Sequence, residues 1–237
     1  MSIFVFVESF DGAASSISWE ALGAAKSVAS GFGTDVTALV FGKNASEIAK
    51  EAGYYGADKA LVCDDATLET FRLEPYAALL TKLVEEHKPE AVIAVASSRG
   101  RELLAASAAD TNSGMVSSVI DLSVEGGAIL ATRTGYAGKV TSKMKLAGDG
   151  TKFVSLRGRA FAPQARDEGS SVEVSSVDPV MSEDDIAVKV ESFASEVGKV
   201  NLNDAAIIVS GGRGMANNPA GGDDDVSKAK DGFTNVV

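Results

Sequence analysis

The sequence predicts an α/β fold: a parallel sheet covered by helices on both faces, extended by antiparallel strands. Three observations predict it. Four apolar runs alternate with helical patterns over about the first 110 residues, which implies strand–helix–strand units and a parallel sheet. One of those runs, Ala91–Ala96, is apolar throughout and so needs cover on both sides. From Met115 to Phe161 the texture changes to strands joined by glycine turns, with no helical period.

The elements follow in order. Ile3–Val7 reads as the first strand and Glu8–Ser18 as a polar loop. Ser18 is placed to cap the next helix; Ala21 stands three residues on, so a full capping box is missing. Leu22, Ala25, Val28 and Ala29 recur at helical spacing as far as Ser30, and Gly31 and Gly33 end that helix. Val36–Phe41 is the second strand. Asn44 or Ser46 caps a short helix, Glu47–Ala52, closed by Gly53 and Gly56. Ala60–Cys63 is the third strand, and Asp64–Glu74 is a polar loop. Pro75 suits the first turn of a helix running to about His87. Pro89 breaks the chain, Ala91–Ala96 is the fourth strand, Ser97–Gly100 its turn and Arg101–Ala109 the next helix.

Val116–Val124, Ala128–Arg133, Lys139–Leu146 and Lys152–Leu156 read as an antiparallel extension of the same domain. Lys139–Leu146 alternates, with Val140, Ser142, Met144 and Leu146 on one face and Lys139, Thr141, Lys143 and Lys145 on the other. Ala162–Asp185 is polar, with a short strand at Val172–Val174. Ile186–Ser195 carries apolar residues at alternate positions and reads as a crossing between domains, with the boundary near Glu196. Ala205–Val209 is a short β-branched run, predicted to be a buried strand. Ala216–Val237 has no apolar period, and Asp223-Asp224-Asp225 reads as a solvated run without calcium-loop spacing.

Composition narrows the function. Apolar content of 45% and charged content of 23% are those of an ordinary globular protein. A net charge of −11 argues against nucleic acid or an anionic membrane as partner. The single cysteine, Cys63, excludes an intrachain disulfide and reads as a small buried hydrophobe. No 18-residue apolar segment suggests a transmembrane helix. Met1–Glu8 lacks a basic stretch and reads as a strand, not a signal or transit peptide, so a reducing, cytoplasmic setting fits. His87 is the only histidine, which argues against a His-based triad or a zinc site.

The candidate site is Ser210-Gly211-Gly212-Arg213-Gly214, directly after the Ala205–Val209 run. Glycines at this spacing let the backbone turn sharply and come close to a ligand. In open α/β sheets ligands sit at the carboxyl ends of strands. Arg213 adds a permanent planar cation there. Two readings stand, a ligand-binding turn and a plain tight turn with a surface arginine. A second candidate, Ser97-Ser98-Arg99-Gly100-Arg101, places free amides between a strand and a helix, where an anion is favoured; a structural turn is its alternative.

Val209–Met215 resembles the first strand and turn of the flavin-binding domain in electron-transfer flavoprotein alpha subunits, and the chain from Met1 to about Met215 resembles the same family. The resemblance implies a nucleotide-hydrolase-like (HUP/Rossmann-like) domain with an antiparallel extension over residues 1–195. It implies the first strand and turn of a flavodoxin-like FAD domain over residues 196–215, with residues 216–237 as an irregular polar tail. It further implies FAD as cofactor, Arg213 over the flavin ring, and Gly211, Gly212 and Gly214 giving the backbone room. A beta subunit, dehydrogenase donors and a respiratory acceptor are the implied partners. The chain is then an electron carrier and not an enzyme with its own acid, base or nucleophile. In the family a long helix and further strand–helix units follow this turn; the stretch after Met215 does not resemble them, so the flavin site reads as incomplete. Arg157-Gly158-Arg159-Ala160-Phe161 resembles a family run that usually carries Pro where Gly158 stands; Phe161 is expected in the core and Arg157 at a domain interface. In beta subunits the strand end equivalent to Ser97 binds AMP. Two alternatives remain: a non-redox docking scaffold for a beta-type subunit, and a nucleotide-binding module using the strand ends near Glu8, Gly42 and Ser97. Against the second stands the lack of a phosphate-binding glycine signature in the first 110 residues.

Overall fold

Residues 2–192, 205, 207–212 and 227 are described by the structure, a computed structural model. The chain divides into two units, Met1–Ala194 and Ser195–Val237. The first unit is built on strands β1 Ser2–Phe6, β2 Ser9–Phe10, β3 Ala13–Ala14, β4 Asp35–Phe41, β5 Lys59–Cys63, β6 Ala91–Val95, β7 Met115–Glu125, β8 Ala128–Gly135, β9 Val140–Leu146, β10 Lys152–Leu156 and β11 Glu173–Ser176. Its α-helices are α1 Ser18–Phe32, α2 Ala45–Tyr54, α3 Leu73–His87 and α4 Ser98–Asp110. Nine strands form one sheet in the order β11-β5-β4-β1-β6-β10-β7-β8-β9. The pairings from β11 to β7 are all parallel, and β8 and β9 are added antiparallel. The predicted mixed α/β architecture is the one observed.

Side-chain alternation along the central strands makes two cores. Ile3 and Val5 of β1 join Val36, Ala38, Ile93 and Val154 under α1 and α2. Phe4 and Phe6 point the other way, with Leu39, Phe41, Val92 and Phe153, under α3 and α4. Each fully buried Phe or Leu contributes about 1.5–3 kcal/mol relative to exposure. The first of these cores is rich in Ala and Val, so α1, with Ala21, Ala24 and Ala25, packs close to the sheet.

Several sequence expectations are corrected here. Lys152–Leu156 does not extend an antiparallel meander; β10 lies parallel between β6 and β7. Phe153, Val154, Ser155 and Leu156 are all at most 1% exposed, as a central parallel strand requires. Ser18 is the first residue of α1 and not its cap; its hydroxyl accepts from Glu8 N at 3.0 Å and ties the end of β1 to the helix. Helix α1 runs past Gly31 to Phe32, and Gly33, at φ 65°, caps it in the left-handed region. Asn44, the first of the two candidate caps, holds the N-cap position of α2, but its amide donates to Gly12 O instead of bonding its own helix. Ser97–Gly100 is not a free turn: Ser97 caps α4, whose first turn begins at Ser98. The strand expected at Val172–Val174 forms one step later, as exposed edge strand β11 beside β5. Ile186–Ser192 forms no strand among the described residues; Ile186 is buried, while Val188 and Val190 are exposed.

Between β10 and β11 the chain crosses the outside of α1 and α2. Asp167 N donates to Tyr54 O at 2.9 Å. Val172 lies against Gly53, where an added Cβ would come within 2.9 Å of the valine Cβ. At Gly23 a Cβ would overlap the carbonyl oxygen of Ala162. Gly23, inside α1, and Gly53, one residue before the end of α2, leave the room that the crossing segment needs. An exposed helix Gly→Ala change ordinarily gains roughly 1 kcal/mol. Gly23→Ala should instead lose about 1–3 kcal/mol through overpacking, read as a lower midpoint in urea denaturation.

Candidate functional site

The glycine–arginine run lies in the second unit. Gly211 and Gly212 are described, are exposed and belong to no strand; Arg213 and Gly214 lie outside the described residues. The buried strand expected at Ala205–Val209 is not found. Ile207, Ile208 and Val209 are irregular and 83%, 55% and 63% exposed. A strand exists only as part of a ladder, and no strand is assigned in this unit among the described residues. A Cβ on Gly212 would meet nothing within 4 Å. The described part of this run therefore does not by itself enclose a flavin.

In the first unit the sheet reverses its winding between β1 and β6, the crevice where α/β folds usually hold a ligand. Here that crevice is bridged by the protein's own groups. Ser97 Oγ accepts from Gly100 N at 2.9 Å and donates to Glu8 Oε2 at 2.5 Å. A carboxylate thus stands at the positive end of α4, where a phosphate would otherwise be favoured. A Cβ on Gly100 would overlap Val95 O, so this first turn is also pressed onto the end of β6. Arg157 and Arg159 lie on the exposed loop after β10. Arg157 N donates to Val119 O at 2.8 Å, and Arg159 N to Glu20 Oε2 at 2.6 Å. Burial pushes the Glu20 carboxyl upward, against the pull of that backbone bond. Phe161 packs half-buried against the first core, as expected. Cys63 is buried and its thiol is pushed up to about 11 by burial, the state of an inert core thiol.

One nearly buried ion pair among the described residues was not anticipated from the sequence. Arg72, 8% exposed, places both terminal nitrogens on Glu183, at 2.8 and 2.7 Å, and also donates to Thr67 O at 2.8 Å. Lys189 Nζ lies 3.1 Å from Glu183 Oε1, and Glu74 Oε2 accepts from Ala187 N at 3.0 Å. Together with buried Ile186, these bonds clasp the Glu183–Lys189 segment onto the start of α3.

The comparisons with known proteins agree with this architecture. The family model for the electron transfer flavoprotein domain matches residues 3–181. The chain belongs to the electron transfer flavoprotein domain family. It is 30% identical over 232 residues to an electron transfer flavoprotein subunit alpha of Bacillus subtilis, covering 98% of this chain and 66% of that protein. It is 31% identical to the subunit alpha of Thermoanaerobacterium thermosaccharolyticum, over 90% of this chain and 65% of the relative. It is also 31% identical to protein FixB of Clostridium saccharobutylicum, over 90% of this chain and 64% of the relative. The chain thus spans just under two thirds of the length of the curated relatives it matches. The Bacillus match, at 98% of the chain, continues past Met215, where the resemblance was expected to stop. No helix among the described residues is long and apolar enough to cross a membrane.

The clasp escapes a linear reading because its partners are 111 residues apart. Its one local trace is the acidic run Glu183-Asp184-Asp185 and, far from it, a lone arginine before a helix. The Arg72 guanidinium, then the Lys189 ammonium, lowers the Glu183 carboxyl from its ordinary 4.5 to about 2. A carboxylate lowered on folding contributes stability above its unfolded value and loses it as pH falls towards the folded one. Glu183→Gln should therefore be less stable than the wild type at neutral pH. That gap should narrow progressively as pH falls from about 4.5 towards 2, measured as the difference in denaturant midpoint.

Proposed function

We propose that this chain serves as an alpha-type subunit of an electron-transfer flavoprotein. It pairs with a beta subunit and takes part in passing electrons from dehydrogenases to a respiratory acceptor, in the cytoplasm. It acts as a carrier and not as a catalyst with its own acid, base or nucleophile. The reading rests above all on one finding, the match of 90–98% of the chain to relatives named as alpha subunits and FixB. Residues 1–195 form the subunit-pairing domain in this reading, and residues 196–215 the entry to a flavin-binding domain ahead of a polar tail, 216–237.

FAD is the proposed cofactor, and it would supply the redox chemistry. This chain's contribution is Gly211, Gly212, Arg213 and Gly214: the glycines give backbone access, and Arg213 offsets negative charge on a reduced ring. Ile207–Val209, exposed and irregular, becomes a strand of that domain once neighbouring strands are supplied. That exposure also favours a second reading, in which the first unit is a docking scaffold and another chain completes the site.

The test is co-expression with a beta-type subunit, followed by visible absorption of the purified material. The expected result is a complex that retains flavin; a chain that never associates with such a subunit would overturn the reading. In a flavin-bearing complex, Arg213→Ala should lower the one-electron potential by on the order of 60 mV, a tenfold shift in equilibrium, measured by redox titration. An unchanged potential would remove Arg213 from the flavin.

A further inference from the structure

We propose that residues 178–190 are a strap that opens and closes as one cooperative piece while the nine-stranded sheet stays folded, with Arg72 and Glu74 as its catch. Val177 N donates to Val62 O at 2.8 Å, the last backbone bond that ties this run to the sheet among the described residues. From Asp178 to Val190 the only backbone–backbone bond among the described residues is internal, Asp185 N to Ser182 O at 3.1 Å. The run forms no strand, only the short turn Glu183–Asp185. Its apolar side chains engage little: Ile186 is 1% exposed, but Val180, Val188 and Val190 are 45%, 56% and 45% exposed. One buried aliphatic side chain cannot offset the entropy of ordering the whole run, so polar contacts must supply the rest.

Those contacts converge on two side chains at the start of α3. Arg72 holds Glu183 through both terminal nitrogens, at 2.8 and 2.7 Å, and lies 3.5 Å from Val188 O. Glu74 Oε2 accepts from Ala187 N at 3.0 Å and from Val188 N at 3.4 Å. Val188 meets both, so the two halves of the catch are joined. Lys189 Nζ donates to Glu183 O and lies 3.1 Å from Glu183 Oε1, which closes the strap on itself. A cavity of about 430 Å³ remains beneath, lined by Thr67, Thr70 and Arg72 on one side and Glu183, Lys189 and Val190 on the other. The strap is thus held at its catch and not packed along its length. The closed catch is also finely balanced. Desolvation of the Arg72 guanidinium opposes its Coulombic gain, and Arg72 Nε is buried with no partner among the described residues; opening returns it to water. A segment with few buried apolar contacts and such a catch opens locally at low cost. Every residue involved belongs to the first unit, so the inference rests on neither the flavin nor the subunit-pairing reading.

The test is amide hydrogen exchange on the full chain at neutral pH, followed by NMR at several low urea concentrations. The Ala187 and Val188 amides should exchange on the order of a hundredfold faster than those of β6, and with little dependence on urea, because opening the strap exposes little surface. Glu183→Gln removes the charge from the Arg72 half of the catch alone. It should nevertheless speed exchange at Ala187 and Val188, whose acceptor is Glu74, by about tenfold. Reciprocally, Glu74→Ala should speed exchange at Asp185 by about the same factor. Equal rates and urea slopes for strap and β6 amides in the unaltered chain would overturn the proposal, since the strap would then open only with global unfolding. Unchanged exchange at Ala187 and Val188 in Glu183→Gln would overturn it too, because the contacts would then act independently.

Discussion

Everything in the first unit follows from strands β1, β6 and β10 being buried on both faces. Their residues are almost all at most 5% exposed, on both sides of the sheet. Such strands survive only with a ladder partner at each edge and a helix layer on each face. The doubly wound arrangement meets that demand: α1 and α2 cover the Ala- and Val-rich side, and α3 and α4 cover the Phe- and Leu-rich side. It also accounts for β10. A strand of Phe153, Val154 and Leu156 has no place in a solvent-facing meander, so the chain carries it back into the middle of the sheet.

That return has a consequence for the rest of the chain. From the centre the polypeptide must cross to the far edge at β11, and it does so over two helices. Close crossing of a helix leaves no room for side chains, which explains Gly23 and Gly53 better than any local turn would. Beyond β11 the clasp of Arg72 on Glu183 holds the segment before the second unit. A buried guanidinium is costly unless a carboxylate meets it with both oxygens, so this pairing is specific about where Glu183 lies.

Membership of the electron transfer flavoprotein domain family rests on the first unit, residues 3–181. The proposed flavin contact involves a different segment, Gly211–Gly214, in the second unit. The two are physically separate problems. A parallel sheet folds on its own buried area, whereas a flavin cradle needs several strand ends together. The same logic governs the crevice beside β1 and β6. There Glu8 and Ser97 satisfy the helix end that an anion would otherwise take, and Arg99 lies over the rings of Phe10 and Phe71 and donates to Ser9 O.

Alternation of strand and helix and the two-sided burial of Ala91–Val95 were legible in the sequence; of the face expected inward along Lys139–Leu146, Met144 and Leu146 are half-buried, whereas Val140 and Ser142 are exposed. The first two are local periodicities, set by neighbours two to four residues away, and periodicity survives folding. The run Gly211, Gly212, Arg213 and Gly214 is legible only as a composition, and its last two residues lie outside the described ones. Only tertiary structure decided the place of β10, the reason for Gly23 and Gly53, and the pairing of Arg72 with Glu183. Those depend on residues that meet across tens to more than a hundred positions, such as the 111 separating the clasp partners. The Ala205–Val209 run teaches the same lesson in reverse. Its β-branched residues carry strand propensity, but a strand is a property of a ladder, and the described residues of its unit provide none.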